Sequence, residues 1–252
     1  MFFLPLFDDN PISKKPFVTY ALIILNCIVF LIQTSFSTSD LNLYFLQNGF
    51  VPDHFFANPS PFYLQLYSSI FIHAGFLHLA SNMLYLWIFG DNVEAKLGPI
   101  KFLFFYLICG VIASIGQGLI DTNSNIPLVG ASGSIAGVLG AYFLLYPKAN
   151  VRVLFWFFIF IQIINVPAFI VLGVWIVGQF ISAGNSLETG VAYFAHIAGF
   201  IAGFILMLIL KNRDTSIFNK PVSEPFSKST FKDAYKSKIY DQRRSAQIKK
   251  YD

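Results

Sequence analysis

The sequence predicts an all-α membrane protein built as a bundle of six transmembrane helices, and three observations carry that prediction. Hydrophobic side chains make up 56% of the 252 residues and charged ones only 12%, against roughly 25% charged in ordinary soluble domains; mean hydropathy is +0.63. Six segments are apolar over lengths near the ~20 residues a helix needs to cross a bilayer. All 17 Lys and Arg fall on one side of the topology those segments define.

In chain order the expected crossings are Phe17–Phe36, Leu66–Gly90, Ile100–Ile120, Ser132–Tyr146, Pro167–Ser182 and Ala192–Leu210. The fourth and fifth are short. Apolar residues continue from Val153 to Ile164, so the fifth crossing either starts earlier or follows an interfacial piece that Asn165 and Pro167 break. Met1 to Lys15 lacks the basic segment, apolar core and small-residue cleavage site of an export signal, which leaves targeting to the first span. Cys27 and Cys109 sit inside apolar runs and read as small buried hydrophobes.

Lys14 and Lys15 precede the first span, Lys96 and Lys101 separate the second from the third, and Lys148 and Arg152 follow the fourth. The remaining basic residues follow the sixth. The opposite loops, Ser37–Gln65, Asp121–Ala131 and Ala183–Val191, carry no Lys or Arg. The positive-inside bias therefore puts both termini in the cytoplasm and those three loops outside. Residues 1–16 become a cytoplasmic amino-terminal segment, 17–210 the helical domain, and 211–252 a basic tail. That tail has eleven basic against five acidic residues and is expected to be disordered against anionic headgroups. The first outer loop holds Leu41, Tyr44, Phe45, Phe50, Phe55 and Phe62; packing against the bundle is the plain reading, and guiding an incoming transmembrane ligand the sharper one.

Polar residues inside spans are costly in lipid and are functional candidates by default. His78 and Asn82 lie four apart on one face of the second helix. Ser132 opens the fourth helix, and His196 lies one to two turns into the sixth. All three helices start outside and run inward, so these groups share the outer half of the membrane. Ala195, Gly199 and Gly203, with Gly133, Gly137 and Ala141, form small-residue stripes that let the fourth and sixth helices approach closely. Ser132 and His196 then come within hydrogen-bond range, the arrangement that activates a serine hydroxyl. The chemistry read from this is a two-member serine hydrolase, with Ser132 as nucleophile, His196 as general base and His78, Asn82 and the Ser132 amide as oxyanion donors. No acidic third member is at hand, since Asp91 and Glu94 belong to the cytoplasmic end of the second helix. His73 and Ser134 read as structural, His73 on a different face from His78, and His54 reads as simply exposed. No metal-ligand spacing such as HExxH is present, so neither a metal nor another cofactor is expected.

These residues carry a resemblance. The stretch Phe71 to Glu94, with His73, His78, Asn82 and Phe89-Gly90-Asp91-Asn92-Val93-Glu94, is similar to the rhomboid family of intramembrane serine proteases. So are Gly130-Ala131-Ser132-Gly133, Ala195-His196-Ile197-Ala198-Gly199 and Asp8-Asp9-Asn10-Pro11. The likeness runs from about Asp8 to Leu210 and is to the bacterial six-helix type, which implies an inner cell membrane. It implies a rhomboid-like bundle with a water-filled cavity open to the outer face, cleaving transmembrane protein substrates near their outer ends. Ser132 and His196 would be catalytic, His78 and Asn82 would bind the oxyanion, and Pro167–Ser182, with Trp175, would form a lateral gate. Two departures stand out. The first outer loop lacks the Trp-Arg pair of some members, and Ala136 stands where others have a tyrosine over the histidine, a role for which Tyr142 and Tyr193 are candidates. The rival readings are a catalytically silent relative that binds transmembrane helices, and a transporter, which would need charged or broken helices in repeated halves. The lipid bilayer is the expected surroundings. Nucleic acid is not an expected partner, because no folded basic module accompanies the tail.

Overall fold

The structure, a computed structural model, describes residues 2–10, 15–157, 160–184, 191–213, 215–219 and 225–229. Lys14, most of the third outer loop and the greater part of the basic tail lie outside the described residues.

Every expected crossing corresponds to a helix. Helix α1 is Phe17–Gln33, and α2 (Thr38–Asn48) and α3 (Pro52–Ala57) lie in the first outer loop. Then come α4 (Gln65–Ser68), a 3₁₀ turn at Ser69–Phe71, and α5 (Phe76–Leu97). They are followed by α6 (Pro99–Gly118), α7 (Ser132–Leu145), α8 (Ala168–Ala183) and α9 (Tyr193–Leu210). Helices α6 and α9 are each long and apolar enough to span a bilayer, and the bent pair Gln65–Phe71 and Phe76–Leu97 makes a third; α1, α7 and α8 are apolar but shorter.

Helix α1 puts polar residues inside and apolar ones outside. It buries Thr19, Asn26 and Gln33 along one face while Ile24, Leu25, Ile28 and Leu31 are exposed. In water that arrangement would waste apolar burial; against hydrocarbon it is the stable one. Helix α7 sits at the centre, with Ser132 and Phe143 its only residues not fully buried.

The second expected crossing is bent by 93° between Phe71 and Phe76. Breaking a helix inside a bundle frees backbone groups that need partners. Gln33 of α1 supplies both, its Nε2 donating to the His73 carbonyl at 2.8 Å and its Oε1 accepting from the His73 amide at 3.1 Å. His73 therefore stands in the break and not on the helix.

The all-α expectation is corrected at the end of the bundle opposite Ser132. There β1 (Phe2–Asp8), β2 (Asn150–Phe157), β3 (Phe160–Pro167) and β4 (Lys228–Ser229) form one antiparallel sheet in the order β1-β2-β3-β4. The described residues of the apolar run Val153–Ile164 thus lie on the paired strands β2 and β3, whose register includes Arg152↔Asn165 and Leu154↔Ile163. The run's β-branched and aromatic residues favour the extended chain, and the amino-terminal segment supplies an edge to pair with. The start of the tail is also ordered. The amides of Phe218 and Asn219 bond the Leu144 and Leu145 carbonyls left free at the end of α7, and Phe226 donates to Asn165. Unpaired helix-end carbonyls and a sheet edge give this part of the tail a place to bind.

The acidic motif residues hold this end together. Glu94 of α5 caps α1, accepting from the Val18 amide at 3.0 Å and from the Thr19 amide and hydroxyl at 2.7 Å each. Helix α1 has no capping side chain of its own. Asp8 accepts from the Tyr142 hydroxyl at 2.9 Å and Asn92 at 2.8 Å, and Asp9 accepts from the Asn150 amide at 2.9 Å. Glu94→Gln keeps the volume, removes the charge and turns an N–H₂ toward donors. It is expected to cost about 1.5–3 kcal/mol, the range for a charged hydrogen-bond partner, read as a lower midpoint of thermal unfolding in detergent.

Candidate active site

The close approach of α7 and α9 builds the site. A Cβ at Gly199 would collide with the Gly133 carbonyl, and one at Gly203 with the Gly137 carbonyl. The small-residue stripes therefore lie backbone against backbone, as their spacing predicts. At the amino-terminal ends of this pair, Ser132 Oγ and His196 Nε2 are 2.9 Å apart. Ser132 is the first residue of α7, after Ala131 at the cap, and its hydroxyl bonds His196. The bland role of a serine at a helix start is therefore not the one taken.

Gly130 brings His78 in. Its φ is +126°, a conformation that glycine alone adopts at no cost. A Cβ there would lie 2.7–2.8 Å from the His78 ring and 3.8 Å from Ser132 Oγ. The imidazole of His78 thus rests on Gly130 beside the serine. Asn82, one turn further along α5, is buried, and its Nδ2 has no hydrogen-bond partner. Ser132, His196, His78 and Asn82 all line one cavity of about 730 Å³. The Gly130 loop is held from two sides. Its amide donates to Ser69, and Phe50 exchanges backbone hydrogen bonds with Leu128. The first outer loop is therefore packed into the bundle, with Phe50 and Val51 fully buried.

The other residues singled out in the sequence have definite surroundings. His73 does not point away from His78; their rings meet edge to face at 5.1 Å. Ser134 packs toward α6, where a methyl on Gly110 would strike its hydroxyl. His54 lies against Phe62, with centroids 5.2 Å apart. Tyr142 is not near His196; its hydroxyl bonds Asp8 and Asn10 at the far end of α7. The aromatic over His196 is Trp175 of α8, with centroids at 5.7 Å and rings 35° apart. Tyr193 meets the imidazole edge-on at 6.5 Å.

Sequence reasoning missed Gln179. Its Oε1 lies 2.6 Å from His196 Nδ1, so both ring nitrogens of the histidine are engaged. The available signal was an amide in an otherwise apolar helix, four residues after Trp175. Among the described residues no group of three or more His, Cys, Asp or Glu is placed to hold a metal.

The family model for the Rhomboid domain matches residues 61–213. The chain belongs to the rhomboid family. This rhomboid protein is 25% identical to rhomboid-like protein 11, chloroplastic, of Arabidopsis thaliana over 224 residues, which are 86% of this chain and 74% of that one. It is 34% identical to the rhomboid protease GluP of Bacillus subtilis over 158 residues, 62% of this chain and 28% of that protein. It is 37% identical to the putative rhomboid protease YdcA of the same organism over 78 residues, 31% of this chain and 39% of that one. The rhomboid match spans α4 to α9 and so includes all four residues around the cavity. Family membership and the lipid-facing helices make the chain an integral membrane protein.

Proposed function

We propose that this rhomboid protein is an intramembrane serine endopeptidase that cleaves transmembrane proteins near the outer face of the bilayer. The single observation carrying the reading is the 2.9 Å contact between Ser132 Oγ and His196 Nε2, on the wall of a cavity that Asn82, with its unpaired Nδ2, also lines. In the proposed reaction Ser132 Oγ attacks the substrate carbonyl carbon while His196 Nε2 takes its proton. The carbonyl π electrons move to oxygen. Asn82 Nδ2, His78 and the first amides of α7 are the donors for that oxyanion, and the helix amino terminus adds its partial positive charge. Collapse breaks the C–N bond as the imidazolium returns the proton to the amine. Water, deprotonated by His196, then releases the carboxylate and restores Ser132.

In the topology we infer, the six helices cross the membrane with both termini cytoplasmic, in a cell membrane, and the sheet lies on the cytoplasmic side. Helix α7 has 14 residues, about 21 Å at 1.5 Å per residue, less than the ~30 Å hydrocarbon core. Its start therefore sits below the outer surface, and the cavity carries water down to it. Helix α8 is the side of entry for substrate. It exposes Val174, Val177 and Ile181, and nothing lies within 4 Å of a Cβ added at Gly173 or Gly178.

The test is reconstitution into vesicles with a single-span substrate bearing small residues near its outer end and a weakened helix below, because the peptide must unwind before a serine reaches its carbonyl. Wild type is expected to cut in that segment. His78→Ala and Asn82→Ala are each expected to lower kcat by ~10²-fold with little change in KM, as for other oxyanion donors. A protein that binds such helices and cuts none across a broad panel is the silent relative instead.

A further inference from the structure

We propose that Gln179 is a positioning residue that fixes His196 in the tautomer required to activate Ser132, so that α8 supplies the third member of the catalytic set. The inference rests on the proteolytic reading above and adds a group that the two-residue mechanism leaves out.

The assignment follows from which end of the Gln179 amide faces the ring. Gln179 Nε2 donates back to the Trp175 carbonyl of its own helix at 3.4 Å, which turns Oε1 toward His196 Nδ1, 2.6 Å away. An amide oxygen only accepts, so Nδ1 must carry the hydrogen. In a neutral imidazole the other nitrogen is then bare. Nε2 therefore accepts from the Ser132 hydroxyl at 2.9 Å, the direction a general base needs. Without an acceptor at Nδ1 the ring is free to place its hydrogen on Nε2, where it blocks proton removal from serine. When Nε2 takes the serine proton, the same oxygen faces the developing imidazolium and stabilises it with no charge of its own. That suits a site inside a membrane, where a carboxylate would be costly. Trp175, one turn earlier, covers the imidazole face at 5.7 Å. Ring plane and tautomer are thus both set from α8, and through the ring so is the nucleophile.

Three variants and one spectroscopic readout test this. Gln179→Leu keeps the helix apolar and removes the acceptor. Its kcat is expected to fall about 10- to 100-fold, the equivalent of one buried hydrogen bond to a group that becomes charged, with KM unchanged. Gln179→Glu is an acceptor when ionised, so it is expected to recover kcat relative to Gln179→Leu as pH rises and the carboxyl ionises, at some cost in stability. Ser132→Ala sets the floor. Independently of activity, ¹⁵N spectra of histidine-labelled protein in nanodiscs, with His196 assigned by difference from His196→Gln, are expected to show Nδ1–H and bare Nε2 in wild type. Gln179→Leu is expected to shift the ring toward Nε2–H. A wild-type kcat in Gln179→Leu, or a wild-type ring protonated at Nε2, overturns the proposal. If wild type itself cleaves nothing, the proteolytic reading fails while the spectra still decide the tautomer.

Discussion

Ser132→Ala is expected to lower turnover by about 10⁴-fold or more, the scale on which serine hydrolases lose activity without their nucleophile. His196→Ala should fall to a similar level. The double variant should be no worse than either single one, since the two side chains act as one unit. The loss will be chemical. Ser132→Ala gives up the hydrogen bond to His196, worth about 0.5–1.5 kcal/mol, and gains part of that back from the better helix propensity of alanine, so its thermal unfolding should stay close to wild type. Rates from reconstituted vesicles, beside unfolding midpoints in detergent, check both halves.

Gly199→Ala is the second large effect, and it comes from packing. The added methyl would meet the carbonyl of Gly133 and lie 3.3 Å from the Cβ of Ala136. Neither is the end of a flexible side chain, so α7 and α9 must move apart. Overpacking of this kind costs about 1–3 kcal/mol. The same displacement lengthens the Ser132–His196 contact, and a misplacement near 1 Å is worth ~10²-fold in rate. Gly173→Ala is the control. Nothing lies within 4 Å of its added methyl, so it should leave stability unchanged or raise it by a few tenths of a kcal/mol through helix propensity. Unfolding midpoints and cleavage rates of the two variants side by side separate packing from chemistry.

The helices were legible in the sequence because lipid imposes a simple demand, a long apolar run whose backbone bonds are internal. The neighbourhood of Ser132 and His196 was legible for a related reason: Gly133, Gly137, Gly199 and Gly203 announce backbone contact at a spacing only helices read. The sheet was not legible. A run such as Val153–Ile164 has no period to tell a buried strand from a helix, and its partner β1 lies almost 150 residues away in sequence. The break before α5 was hidden for the same reason, since its stability depends on Gln33, forty residues upstream of His73. Gln179, and the place of Trp175 over His196, escaped because α8 is apolar round most of its surface; only its neighbours decide which face looks at His196. With Ala136 in place of an aromatic on α7, the ring over the histidine had to come from another helix, and sequence gave no rule for choosing it.

On the proposed mechanism Ser132 is a nucleophile made reactive by His196, and peptide mass spectrometry of the protein in vesicles after exposure to a fluorophosphonate reads that reactivity. A phosphonyl adduct on Ser132 is expected in wild type, forming at a rate lowered at least 10²-fold in His196→Ala, consistent with the scale of general-base assistance, and absent in Ser132→Ala. An adduct on Ser134 in place of Ser132, or equal labelling of Ser132 with and without His196, would contradict it.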